Sequence, residues 1–259
     1  MTKKPITGAV LLAAGRGNRL RPYTDATPKP LLPIDGCPTL DLYFHSLVTA
    51  GVTKTVLVVH HLAEQIEEYA AEVPTRFGIQ CTTVKQPVLD GTASALEAAM
   101  EATLQENHNN ELIKSIMGQP FLLTATDYLI PDSFIPDLLS FYLSNEEDIT
   151  VSIKSVPVEE LASRSSIRFA DATSATTGDG VITEIVEKPA PGEAPSTFSA
   201  NLTYVLPAEV LPLISEVECS ARGEREVQTA INAYIAAHGA ARGLLQISPD
   251  EWTADLLNS

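Results

Sequence analysis

The chain has 259 residues, with 17 Lys and Arg against 33 Asp and Glu and a formal net charge of −16. That acidic balance argues against nucleic acid or an anionic membrane surface as partner, because both are held through excess Lys and Arg. With 44% hydrophobic and 19% charged residues, the chain reads as globular and long enough for one sizeable core. The three cysteines, Cys37, Cys81 and Cys219, are odd in number and far apart. They suit neither a disulfide framework nor a zinc site, and reduced thiols in a cytoplasmic protein are expected. No apolar run approaches the ~20 residues of a membrane span.

In chain order, strand-like segments at Gly8–Ala14, Lys54–His60, Gln80–Lys85, Phe121–Thr126 and Ile149–Val156 alternate with helix-like segments at Thr39–Ala50, Leu62–Glu72 and Thr92–Gln105. Alternation of this kind predicts an α/β fold, a Rossmann-like, mostly parallel sheet with helices on both faces. The polar, asparagine-rich stretch Glu106–Lys114 reads as a surface loop. Shorter β-like segments follow at Ile167–Ala170, Val181–Glu187 and Leu202–Val205, with a hairpin-like Ala172–Gly180 and a Pro/Gly loop at Ala190–Pro195. They predict an added C-terminal β-layer. Helices are expected at Ala208–Glu216 and Glu224–Ala237, and a last strand at Arg242–Ser248.

The most informative run is LAAGRGNRLRPYTDATPKPLLP, residues 12–33. It follows an apolar strand and gathers Gly15, Gly17, Arg16, Arg19, Arg21 and Lys29 in an otherwise acidic protein. Glycines let backbone N–H groups approach a ligand, and the cations point to a polyphosphate. The run has neither the third glycine of a dinucleotide-binding loop nor the Gly-Lys-Ser/Thr of a Walker loop. Asp127 closes the strand that begins at Phe121, and ligands of open α/β sheets bind beyond the carboxyl ends of strands. A carboxylate there suits Mg²⁺, which takes one or two carboxylates plus phosphate oxygens. Gln86 offers an amide donor and acceptor that match a pyrimidine N3–H and O4 together. Gly91 permits close approach of backbone to a base, and Thr92 suits the cap of the following helix. His60 and His61 are adjacent, so on a strand they face opposite ways and read as structural.

The run 12–33 resembles the signature of the sugar-1-phosphate nucleotidylyltransferases. The resemblance continues in QPVLDGTASAL (86–96), TATD (124–127), GVITEIVEKP (180–189), SANLTY (199–204) and GEREVQTAIN (223–232). It implies a nucleotide-diphospho-sugar transferase-like fold and one domain over 1–259. Residues 1–156 would form the nucleotide-binding half and 157–259 the sugar-phosphate-binding half. The substrates implied are an NTP, with UTP or dTTP favoured through Gln86, and a sugar 1-phosphate, with Mg²⁺ as cofactor.

Within that resemblance, Arg19, Lys29, Asp127 and Lys188 are catalytic. Leu12, Ala13, Ala14, Gly15, Gly17, Gln86, Gly91 and Thr92 bind the nucleotide. Glu187, Lys188 and Asn201 bind the sugar phosphate. Asp127 holds the metal with a second carboxylate, Asp255 or alternatively Asp250, brought close when the last strand ends near the loop after the first. The chain departs from the family pattern at Thr126 and Thr203, where glycine is usual, and around Trp252 and Asp255. Two other readings remain: a cytidylyltransferase for a non-sugar phosphate such as phosphocholine, and a regulatory module that binds without catalysis.

Overall fold

In the computed structural model, residues 3–104, 109–190, 192–246 and 250–251 are described. Their centre is a nine-stranded sheet. In chain order its strands are β1 (Gly8–Leu12), β2 (Lys54–Val59), β3 (Gln80–Lys85), β4 (Phe121–Ala125), β5 (Ile149–Ser155), β6 (Ser165–Phe169), β7 (Gly180–Glu187), β8 (Phe198–Leu206) and β9 (Ala241–Leu245). Across the sheet they run β3-β2-β1-β4-β8-β5-β9-β7-β6. The β3-β2-β1-β4 half is all parallel. Strand β8 runs antiparallel to both neighbours, β4 and β5, and β7 does the same between β9 and β6. The expected C-terminal strands are present, and they extend this same sheet instead of stacking on it.

Helices α1 (Thr39–Thr49), α2 (Ala63–Phe77), α3 (Thr92–Ala102), α4 (Asn109–Met117), α5 (Phe134–Ser144) and α6 (Val227–His238) cover the sheet. Alternate residues of the parallel strands feed two cores. Val10, Val56, Val58 and Leu123 pack with α3, α4 and α6, whereas Leu11, Leu57, Val59 and Leu122 pack with α1, α2 and α5. A strand buried on both faces needs a mostly apolar run, which the sequence supplies at β1, β2 and β4 but not at the edge strand β3, QCTTVK.

Three elements differ from the sequence expectation. Helix α4 occupies most of the expected loop Glu106–Lys114, because Ile113, Ile116 and Met117 recur at helical spacing and bury against the sheet. Of the asparagines that suggested a loop, Asn109 and Asn110 form its first turn. Ala172–Thr177, expected as a hairpin loop, is a short helix; the Asp171 carboxylate accepts the Ser174 N–H (2.9 Å), and Gly178 ends it at φ +74°. Helix α2 runs past Pro74 to Phe77, because the proline removes one donor near a terminus already closed by Gly78.

Candidate active site

The carboxyl ends of β1, β3 and β4 open onto three adjoining cavities. One, of about 520 Å³, is lined by Leu12, Ala13, Ala14, Gly15, Lys29, Gln86, Gly91, Thr92, Thr126 and Asp127 among others. A smaller one of about 240 Å³ is walled by Gly15, Gly17, Arg19, Lys29, Asp127 and Tyr128, with Asn18 and Leu20. The third, again about 520 Å³, includes Arg19, Gly91, Thr92, Asp127, Arg164, Glu187, Lys188, Glu224, Glu226 and Gln228. Of the described residues, Asp127 alone lines all three. The topology thus gathers residues 12–29, 86–92, 127 and 187–188 around one carboxylate.

The glycine-arginine loop owes its shape to Gly17. Its φ of +62° lies in the left-handed region, and a Cβ there would lie 2.8 Å from the Thr24 methyl. Thr24 Oγ1 in turn donates to the Gly17 carbonyl (3.0 Å), and His61 bonds the Thr24 carbonyl (2.9 Å). His60 likewise bonds the Gln86 carbonyl (2.7 Å). Both histidines therefore brace loop backbones, as their adjacency implied. Ala13 lines the first cavity. Its N–H already donates to the Val58 carbonyl (2.8 Å), so it cannot also donate to a ligand.

Lys29 Nζ lies 3.7 Å from Asp127 Oδ2, with side-chain exposures of 13% and 43%. Asp127 Oδ1 is covered and has no hydrogen-bond partner among the described residues. The Asp127 turn is held from below by Tyr43 on α1, whose buried hydroxyl donates to the Tyr128 carbonyl (3.1 Å) and accepts its N–H (3.2 Å). Thr126, where the family usually has glycine, bonds the Leu12 carbonyl through both its N–H (3.2 Å) and Oγ1 (2.9 Å). The threonine thus pins the end of β4 to the end of β1.

Among the described residues no group of three or more His, Cys, Asp or Glu side chains gathers to cage a metal. Asp127, whose side chain is 43% exposed and lines all three cavities, fits a Mg²⁺ held mainly by substrate phosphates. Strand β9 is separated from β1 by β4, β8 and β5, and the end of the expected stretch Arg242–Ser248 lies outside the described residues. Asp250–Glu251 pairs antiparallel with Tyr128–Leu129, next to Asp127. The Asp250 side chain, Trp252 and Asp255 lie outside the described residues.

Gln86 is 2% exposed, and its Nε2 donates to the Gly91 carbonyl (3.1 Å). One amide hydrogen and the amide oxygen are left for a ligand, and the bond to Gly91 fixes which end of the amide is which. Gly91 itself is required by packing: at φ +130° its added Cβ would lie 2.1 Å from the Arg225 carbonyl oxygen. Gly91→Ala is expected to cost at least the roughly 1–3 kcal/mol of a strained backbone conformation. Urea unfolding measures this, and wild-type stability in the variant would contradict the contact. Thr92 does not cap its own helix. Its Oγ1 accepts the N–H of Val227 (3.0 Å), the first residue of α6.

On the far side, Lys188 adopts φ +47°, a conformation few non-glycine residues take and shared here with Asp35 and Leu62. Its Nζ lies 3.3 Å from Glu224 and 3.8 Å from Glu226. Glu187 Oε2 is buried without a hydrogen-bond partner among the described residues. Burial first, and the Glu226 carboxylate second, push the Glu187 carboxyl up from 4.5 to about 7, against the pull of Lys188 and Arg222. Between those values the folded protein holds a proton that the unfolded chain has released. Glu187 therefore costs stability progressively as pH rises from 4.5 to 7, and fully above 7. Glu187→Gln is expected to gain melting temperature over wild type at pH 8 but not at pH 4. An equal difference at both values would rule out the raised carboxyl.

Asn201 was expected to read a sugar hydroxyl. Instead it is 0% exposed, lines none of the three cavities, and donates to Ser152 Oγ (3.0 Å). Its strand neighbours Ala200 and Leu202 take the cavity wall, as alternation along a strand requires. Thr203, also in place of glycine, pairs with Thr124 across the sheet (2.9 Å). Tyr43, Arg164 and Arg225 were not singled out from sequence. Only Arg225, inside Gly-Glu-Arg-Glu, carried any local signal.

The profile of the nucleotidyl transferase family matches residues 8–252. The chain belongs to this family. A UTP–glucose-1-phosphate uridylyltransferase, AglF, of Haloferax volcanii is 30% identical over 249 residues, covering 96% of this chain and 90% of that protein. Mannose-1-phosphate guanyltransferase beta-A of Xenopus laevis is 30% identical over 181 residues, 70% of this chain and 45% of that longer protein. A UDP-glucose pyrophosphorylase solved with UDP-glucose superposes with a TM-score of 0.78 over 98% of this chain and 97% of its own, at 20% identity.

Proposed function

We propose that the chain transfers a uridylyl or thymidylyl group from UTP or dTTP to a sugar 1-phosphate, releasing pyrophosphate. The observation that carries this reading is the meeting of three cavities at Asp127. Gln86 lines the first, Arg19 and Lys29 the second, and Lys188 the third. Each suits one part of the reaction: base, departing pyrophosphate and incoming phosphate.

A sugar-phosphate oxygen attacks the NTP α-phosphorus and forms the new P–O bond. The bond from that phosphorus to the oxygen bridging to the β-phosphate breaks, and its electrons leave with pyrophosphate. No general base is required, because a phosphate monoester has its second pKa at about 6 and is largely dianionic at neutral pH. Arg19 and Lys29 neutralise the charge growing on the pyrophosphate, and Lys188 leaves Glu224 to hold the attacking phosphate. Asp127 would hold Mg²⁺, which supplies charge neutralisation between the two reactants. Catalysis is then positioning plus electrostatics.

The base choice rests on Gln86. With Nε2 anchored by Gly91, Oε1 accepts N3–H while the remaining N–H donates to O4. Cytosine presents the reverse pattern. Similarity to AglF supports UTP, whereas the guanyltransferase relative makes GTP the informative competitor. A pyrophosphate-release assay over a grid of NTPs and phosphorylated acceptors tests the reading. UTP or dTTP with a sugar 1-phosphate is expected to give the highest kcat/KM. Preference for ATP or GTP would overturn the base assignment, and preference for phosphocholine over every sugar 1-phosphate would overturn the acceptor.

A further inference from the structure

Tyr43 lines none of the three cavities, yet its hydroxyl reaches the residue that follows Asp127. The side chain is buried in the core on the α1 face of the sheet. Its hydroxyl donates to the Tyr128 carbonyl (3.1 Å) and accepts the Tyr128 N–H (3.2 Å). A phenylalanine would fill the same space, so what the hydroxyl adds is its hold on these two backbone groups. The Tyr128 ring is met in turn by the Lys154 ammonium on β5, 5.1 Å from the ring centre.

Tyr43 belongs to a buried polar row on α1. Thr39, Tyr43 and Ser46 stand at i, i+4 and i+7, positions that share one face of a helix. Thr39 gives its N–H (3.1 Å) and Oγ1 (2.9 Å) to the Leu32 carbonyl, and the Leu32 N–H closes a turn back to the Lys29 carbonyl (3.2 Å). Ser46 Oγ donates to the Asp132 carbonyl (2.9 Å) and accepts the Ile135 N–H (3.3 Å). The helix is itself anchored to α2, where the Tyr69 hydroxyl and the Arg76 guanidinium each donate to the Asp41 carboxylate at 2.5 Å. One rigid helix therefore spans the Lys29 turn and the Asp127 turn, whose side chains face each other at 3.7 Å.

We infer that Tyr43 is a positioning residue that fixes the Asp127 carboxylate for a divalent cation. The inference rests on the reading of Asp127 as the metal carboxylate. Mg²⁺ demands near-octahedral geometry and takes few carboxylates, so its affinity depends on where Asp127 stands. Without the Tyr43 hydroxyl the turn has to be ordered as the cation binds, and the loss appears in metal affinity. Groups that orient a metal ligand in this way typically govern about 10–100-fold in affinity. At saturating metal the turn is ordered again. The signature is a raised metal requirement with little change in the maximal rate.

The test uses the whole chain with Tyr43→Phe, Asp127→Asn and a control, Tyr234→Phe. Tyr234 is a buried tyrosine on α6 that bonds Asp148 through its hydroxyl (3.3 Å) and lines none of the three cavities. Mn²⁺ stands in for Mg²⁺, and free Mn²⁺ is read by electron paramagnetic resonance with protein in excess over an α,β-methylene analogue of UTP. Tyr43→Phe is expected to raise the Mn²⁺ dissociation constant about 10–100-fold. Its affinity for the analogue without metal, measured by calorimetry, is expected to match wild type. In pyrophosphate release its apparent Mg²⁺ constant should rise while kcat at saturating metal holds. Tyr234→Phe is expected to change none of these, and an equal rise there would overturn the inference. So would a wild-type Mn²⁺ constant in folded Tyr43→Phe, whatever the melting temperature does. If Tyr43→Phe does not fold, Ser46→Ala takes its place, because it releases the same segment further along. Its constant is expected to rise by a smaller factor, and an unchanged value overturns the inference. Wild-type Mn²⁺ affinity in Asp127→Asn would overturn the metal reading itself and the inference with it.

Discussion

Asp127→Asn is expected to abolish Mg²⁺-dependent turnover while leaving the fold intact. Asp127 closes a buried strand, lines all three cavities, and keeps one oxygen without a partner among the described residues. Its other oxygen faces Lys29 at 3.7 Å, and the side chain is 43% exposed, so no buried ion pair is broken by the change. The asparagine keeps the size and one acceptor oxygen but not the charge a hard cation requires. Steady-state kinetics across a Mg²⁺ titration, beside a melting curve, separate the two effects. Near wild-type kcat in the variant would remove Asp127 from the chemistry.

Lys29→Ala and Arg19→Ala are each expected to lower kcat by roughly 10²–10³, the scale seen when one partner of transition-state charge is removed. Lys29 is the better placed. It is 13% exposed, sits between the first two cavities and faces Asp127, so a developing charge there is poorly screened by water. Arg16 is exposed and borders the first cavity only, and Arg21 is paired with Asp25 at the surface (3.2 Å). Arg16→Ala should therefore cost much less. A greater loss at Arg16 than at Lys29 would reverse the assignment of the pyrophosphate side.

Strands β1, β2 and β4 of the parallel half were legible because strands buried on both faces must be mostly apolar. The loop at 12–33 was legible as a cavity wall because it leaves an apolar strand and gathers glycines and cations, and its residues line the first two cavities. Asp127 followed from where the apolar run of β4 ends. Asn201 was misjudged because the sheet, with a register shift between Ala200 and Tyr204, decides which face a strand residue takes. Thr92 looked like a local cap, but its partner lies 135 residues away, beyond any local rule. Helix α4 was missed because polar residues in its first turn masked the apolar spacing behind them. The second metal carboxylate, Asp255 or Asp250, is carried forward as an expectation from resemblance alone.

The insertion of β8 between β4 and β5 sets the order in which the chain can fold. The first 156 residues supply both neighbours of that slot, yet the strand filling it emerges some forty residues later. Until Phe198–Leu206 arrives, β4 presents a free edge next to the future active site. Such edges invite pairing with strands of other chains, and non-local pairing is slow to form. During synthesis the nucleotide side therefore stays unfinished until most of the protein has been made. A fragment ending at residue 156 would expose that edge permanently and be prone to aggregate.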